Sequence, residues 1–163
     1  GHLSALAALT PGLADFQPGF EDADTSVSAC VPFYGVYDLA GMTEDKPAIE
    51  MRDRFLGPRV FGKDPRTDLD AFIQASPLAH VSEHTPDFFV IHGRNDTLVS
   101  VNQARAFVKA LKERSDASVT YAELPGAQHA FDVFSSIRSQ HTIAAVQRWL
   151  QWHRATHQGT MAE

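Results

Sequence analysis

The chain has 163 residues, 44% of them apolar and 21% charged, and a formal net charge of −6. That length suits one domain with a sizeable core, and the acidic balance argues against a nucleic-acid partner, which needs a basic face. A single cysteine, Cys30, excludes an internal disulfide, and no apolar run approaches the ~20 residues of a membrane-spanning helix.

Leu3 to Leu9 reads as an Ala/Leu helix stub, ended by Thr10-Pro11-Gly12. Residues 13–25, rich in Asp, Gly and Pro, read as a surface loop. Ser26 to Tyr34 carries Val27, Cys30, Val31 and Phe33 and reads as a strand, with Cys30 a buried, inert thiol. Pro32 cannot donate to a ladder, which either weakens the strand reading or places Pro32 near the strand's end. Gly35-Val36-Tyr37-Asp38 follows, where Tyr34 and Tyr37 are either core aromatics beside a turn or the lining of a pocket. Ala48 to Leu56 carries a partial helical stripe that Gly57-Pro58 should stop. Thr67-Asp68 can cap a second helix through Leu69, Phe72 and Ile73. This whole excursion, 39–76, is open to two readings, a lid or a plain connecting layer.

Phe88-Phe89-Val90-Ile91 is a continuous apolar run, as in a strand covered on both faces. Gly93 breaks it and Asn95-Asp96 supplies turn chemistry. Asp96 therefore falls just past the C-terminal end of a parallel strand, where open α/β sheets place their ligands. Val101 to Arg114 is an amphipathic helix with Ala104, Phe107, Val108 and Leu111 inward. Val119 to Leu124 is the next strand, and Gly126 to Asp132 its loop. Thr142 to His153 reads as the last long helix, with Ile143, Val146, Leu150 and Trp149 or Trp152 inward, and the tail from Thr156 reads as frayed. Strands alternating with helices make this an α/β fold with three parallel strands and flanking helices.

The loop after one strand carries an acid, Asp96, and the loop after the next carries a histidine, His129. Such a pair can act as orienter and base, the carboxylate fixing the imidazole tautomer. His92 is expected to pack or bond locally, and Asp132 to cap a following helical turn.

"His-Gly-x-x-Asp-x-Leu-Val" at 92–99, with "Gly-x-x-His-x-Phe" at 126–131, resembles the C-terminal half of the α/β-hydrolases, especially bacterial esterases and lipases. The resemblance implies a partial α/β-hydrolase fold, with residues 1–163 as the C-terminal part of one domain and the strands as the family's sixth to eighth. It implies Asp96 as triad acid and His129 as general base, with Tyr34, Tyr37, Leu98 and Phe131 bordering the substrate. Gly1-His2-Leu3-Ser4 resembles the helix that follows a Gly-x-Ser-x-Gly elbow, which places the nucleophile just before Gly1. Ser4 lies inside that helix and is a poor nucleophile. By this resemblance the parent is a carboxylic-ester hydrolase working through an acyl-enzyme on a small-molecule ester, without metal or organic cofactor. Its missing N-terminal half is then a partner, the chain alone should be inactive, and a cytoplasmic, bacterial setting is favoured.

Other readings stand beside this one. A serine peptidase of the same fold shares both motifs. A non-catalytic fragment could associate, for instance as a homodimer, through the open edge of the strand at 26–34. His80-Val81-Ser82-Glu83-His84 spells H-x-x-E-H, a zinc-protease pattern, although Pro77 and Pro86 favour a loop with two solvated histidines. Asn95-Asp96-Thr97 spells a glycosylation acceptor, read as accidental because a glycan would bury Asp96.

Overall fold

The computed structural model describes residues 1–160. The chain divides into two units, Gly1–His129 and Ala130–Glu163. The first holds β1 (Ala29–Cys30), β2 (Asp87–Gly93) and β3 (Val119–Leu124) in one parallel sheet of order β1-β2-β3. Its helices are α1 (His2–Leu9), α2 (Lys46–Met51), α3 (Leu69–Gln74) and α4 (Val101–Arg114). The second unit carries α5 (Ile137–Thr160).

The run Phe88–Ile91 is apolar because β2 is the central strand, paired on both sides. Phe88 and Val90 enter a core with Phe107 and Leu111 of α4 and with Ala5 and Leu9 of α1. Tyr37 stacks on Phe107 with ring centroids 4.2 Å apart, and Phe88 meets Phe107 edge-on at 5.5 Å. Tyr37 is wholly buried, and burial pushes its phenol pKa up, so the ring stays neutral. Of the two readings open for Tyr37, the structure takes the core one.

β1 is much shorter than the strand expected over 26–34. Pro32 has no N–H to give, so the ladder breaks and resumes as a single bridge between Phe33 and Ile91. Ile91 N–H donates to Pro32 O at 3.1 Å, and Tyr34 N–H donates to Ile91 O at 2.8 Å. Tyr34 then leaves the strand with φ +38°.

Gly57-Pro58 does not stop the helix of 48–56. α2 passes into a π-helical stretch, Arg52–Phe61, with Pro58 inside it. The wider turn tolerates the proline ring that a tighter α-turn would reject. The stretch ends at Gly62, in the left-handed conformation with φ +63°, whose N–H bonds back to Gly57 O. α3 forms as expected, but Thr67 and Asp68 bond each other at 2.8 Å and neither side chain caps the helix.

Buried polar side chains tie this excursion to the core. Gln103 Oε1 accepts from Tyr37 N–H at 2.7 Å and Asp38 N–H at 2.9 Å. Ser76 Oγ accepts from Leu39 N–H and Ala40 N–H and donates to Phe72 O. The Asp38 carboxylate accepts from the N–H groups of Gly41, Met42 and Thr43. Without these acceptors, buried backbone donors would cost ~1–3 kcal/mol each.

The H-x-x-E-H segment forms no shared helical face. His80 closes a single 3-10 turn, Pro77–His80, and bonds Gln74 O at 2.7 Å. Glu83 and His84 project into solvent. The segment is therefore a loop, because Pro77 and Pro86 leave no room for a helix, but of its two histidines only His84 is solvated, His80 packing edge-on against Phe16.

In the second unit, α5 is longer than expected at both ends. Ser136 Oγ accepts from Ser139 N–H at 3.1 Å, while Ser139 Oγ accepts from Ser136 N–H at 2.8 Å. This reciprocal cap starts the helix, and Asp132 lies upstream of it. Thr142, Trp149 and His153 are buried, whereas Ile143, Leu150 and Trp152 are largely exposed. The residues expected to fray continue as helix through Thr160; the last three lie outside the described residues.

Candidate active site

Two loops leave the C-terminal ends of β2 and β3 side by side, because Gly93 pairs with Leu124 at the last rung. Gly93 has to be glycine. A Cβ there would lie 2.5 Å from Ala127 O and 3.0 Å from Gln128 O. That close approach lets the loops bind each other. Arg94 N–H donates to Leu124 O at 2.9 Å, and Asn95 N–H to Ala127 O at 3.0 Å. Asn95 Oδ1 accepts from Gly126 N–H at 2.9 Å. Gln128 Oε1 accepts from Thr97 N–H at 3.2 Å and Thr97 Oγ1–H at 3.1 Å.

Within this double loop, Asp96 and His129 meet. The Asp96 side chain is fully buried, and its Oδ2 accepts from His129 Nδ1 at 2.8 Å. Oδ1 accepts from Leu98 N–H at 2.9 Å and Val99 N–H at 2.8 Å. A carboxylate satisfied by backbone donors on one oxygen can present the other to an imidazole without swinging away. With Nδ1 engaged, the other ring nitrogen, Nε2, is left for a reacting proton, which is the division of labour a general base requires.

His92 crowds the same carboxylate. It is wholly buried, its Nε2 bonds Val99 O at 3.0 Å, and the same nitrogen lies 3.4 Å from Asp96 Oδ2. Its Nδ1 has no hydrogen-bond partner. Burial is the main cause that holds its pKa below the ordinary histidine value.

A cavity of about 290 Å³ opens beside His129, lined also by Gly1, His2, Tyr34, Val36, Phe55 and Leu98. Tyr34 and His129 pack with ring centroids 4.5 Å apart. Leu98 is half-exposed at the rim. Tyr37 is absent from this wall, because its ring turns into the core. Phe131 falls in the second unit, half-buried, in the turns before α5. His2 Nδ1 bonds Val36 O at 2.8 Å, which brings the start of α1 to the cavity.

The BD-FAE family model matches residues 1–111. The chain belongs to the BD-FAE family. It is 51% identical over 151 residues to a protein named "Probable carboxylic ester hydrolase LipM" of Mycobacterium tuberculosis, covering 92% of this chain and 34% of that protein. It is 44% identical to "Esterase LipQ" of the same organism, covering 91% of this chain and 35% of the relative. The chain thus spans about a third of the length of these curated relatives. Among solved structures it is similar to a butyrate-bound thermophilic esterase of Thermogutta terrifontis, with TM-score 0.68 and 23% identity, covering 91% of this chain and 51% of that one. The fold of this BD-FAE chain is a partial α/β-hydrolase fold, three parallel strands with flanking helices.

Several features of this site escaped the sequence. Nothing in the spacing of His92 announced that its ring would reach Asp96, since residues four apart on a regular strand are separated by ~13 Å; the turn after Gly93 brings them together. Gln128 read as a plain loop residue, yet it is the side-chain latch to Thr97.

Proposed function

We propose that this chain supplies the acid and the general base of a carboxylic-ester hydrolase, with Asp96 as orienter and His129 as base. One observation carries the reading: the 2.8 Å contact between His129 Nδ1 and the buried, backbone-anchored carboxylate of Asp96. The relatives named as ester hydrolases support the reaction class. The nucleophile is a serine carried before Gly1, and the approach of Gly1 and His2 to the His129 cavity supports that placement.

In the reaction, the serine Oγ attacks the ester carbonyl as His129 Nε2 takes its proton. The tetrahedral intermediate collapses, and His129 returns the proton to the departing alcohol. Water then repeats the sequence on the acyl-enzyme and releases the acid. Asp96 holds Nδ1–H and stabilises the imidazolium. Tyr34 and Leu98 border the acyl group, and the modest cavity suits short or medium chains.

The complete polypeptide is the one to assay, against p-nitrophenyl esters and the matching anilides side by side. Ester turnover should dominate, and His129→Ala should lower kcat by at least about 10³-fold. Asp96→Asn should do the same through loss of the tautomer. Faster anilide cleavage would make the protein a peptidase of this fold. Full ester turnover in His129→Ala would end the reading. The chain alone should show no turnover.

A second reading, association through the sheet edge, has one observation in its favour: among the described residues β1 pairs only with β2. Sedimentation velocity decides it, since a monodisperse monomer is incompatible with edge pairing.

A further inference from the structure

Tyr34 stands out as an aromatic residue held at φ +38°, a left-handed backbone that side chains with a Cβ adopt only at a cost. Its neighbours leave it no alternative. On one side, Phe33 is bridged to Ile91, and Tyr34 N–H donates to Ile91 O at 2.8 Å. On the other, Gly35 is wedged so tightly that a Cβ would come within 2.8 Å of the Tyr37 ring and 2.9 Å of the Gly1 backbone. The backbone is thus fixed at both ends, by the sheet and by the start of α1. The consequence is local: the Tyr34 ring is thrown away from the sheet and onto His129, at 4.5 Å and an interplanar angle of 55°.

His129 needs such a wall. Asp96 grips the imidazole by a hydrogen bond at one atom only, Nδ1. The ties between the two loops hold the backbone before His129 but do not touch its ring. A second contact, on the ring face, removes the remaining freedom.

We propose that Tyr34 is a positioning residue, whose ring, set by a strained backbone, holds the His129 imidazole in the plane that serves Asp96. This role rests on His129 being the base only for its catalytic consequence; the ring geometry itself does not depend on it. Asn, which tolerates the left-handed conformation, removes the ring without adding strain. Phe keeps the ring and removes only the hydroxyl.

Because Asp96, His129 and Tyr34 all lie in this chain, the test needs no substrate. Nitrogen-15 spectra of the histidine side chains, with thermal unfolding on the same samples, are compared for wild type, Tyr34→Phe and Tyr34→Asn. Wild type and Tyr34→Phe should both show His129 as one Nδ1–H tautomer. Tyr34→Asn should show averaged tautomers while melting as a folded protein. In the complete polypeptide, Tyr34→Asn should lower kcat by about 10²-fold, whereas Tyr34→Phe, which keeps the ring, should hold kcat near wild type. A single Nδ1–H tautomer in Tyr34→Asn would overturn the proposal, as would a Tyr34→Phe variant as disordered as Tyr34→Asn. If Tyr34→Asn fails to fold, Tyr34→Gly, which relaxes the backbone fully, takes its place with the same expected spectra. Averaged tautomers in an enzyme whose turnover ignores His129→Ala would instead sustain the positioning role and refute the base assignment.

Discussion

His92 and His129 approach the same oxygen of Asp96, at 3.4 and 2.8 Å, but only His129 can use it. His92 Nε2 is committed to the carbonyl of Val99, at 3.0 Å. The buried ring therefore closes the Asp96 turn from beneath. His92→Phe keeps the bulk and removes the donor, leaving Val99 O without this partner. Urea unfolding should show a loss of ~1–3 kcal/mol, and an unchanged midpoint would deny His92 this part.

Acid should weaken the fold well before carboxylates protonate. Burial lowers the pKa of both His2 and His92 in the folded chain below the ordinary value. Above about pH 6.5 the folded and unfolded forms are both neutral at these sites, and no stability is lost. As pH falls below that value, the unfolded chain binds protons that the folded one refuses. Stability then declines, by at most ~1.4 kcal/mol per pH unit for His92. Urea midpoints should drop between pH 7.5 and 5.5, and the drop should shrink in His92→Phe. A flat profile over that window would show that neither histidine is held neutral.

Gly93→Ala should be costly for its size. The new methyl would sit 2.5 Å from a backbone oxygen, which cannot rotate away as a side chain can. The loops must separate or strain, at ~1–3 kcal/mol. Because the same loops carry Asp96 and His129, the His129 Nδ1–H resonance should weaken along with the melting temperature. Wild-type stability in Gly93→Ala would mean that the loops yield without strain.

Cys30 should resist thiol reagents in the native state. Burial pushes its pKa up to about 11, and its Sγ lies 3.4 Å from Ser4 O. At pH 8 little thiolate exists and little of the sulfur is reachable. Labelling should therefore follow unfolding, slow in buffer and complete in denaturant. Rapid labelling of folded protein would show that the α1–β1 contact opens readily.

What the sequence made legible follows the strength of its periodicities. β3 and α4 keep their expected bounds, and β2 exceeds the run 88–91 by a residue or two at each end, because their patterns are those of a covered strand and an amphipathic helix. Asp96 and His129, in the loops after successive strands, stand within hydrogen-bond distance of each other. Where local rules met tertiary context, the outcome differed. Pro32 cut β1 to two residues, while Pro58 failed to end a helix that could widen its turn. Tyr34 and Tyr37 look alike on the page. The backbone turn between them sends one ring toward the cavity and the other into the core, and no residue-level preference encodes that choice. α5 buries Thr142, Trp149 and His153 and exposes Ile143 and Leu150, so apolarity alone named only part of the buried face.

The pairing of Gly93 with Leu124 has a further implication for how this sequence can vary. Both loops are measured from that rung, and each is tied to the other at several points along its length. A residue inserted between Gly93 and Asp96, or between Leu124 and His129, would shift one partner past the other, and no side-chain change could restore their meeting. Length variation should be forbidden at those two short segments, so that the spacing from strand end to Asp96 and from strand end to His129 is a fixed inheritance, held by backbone geometry rather than by either side chain.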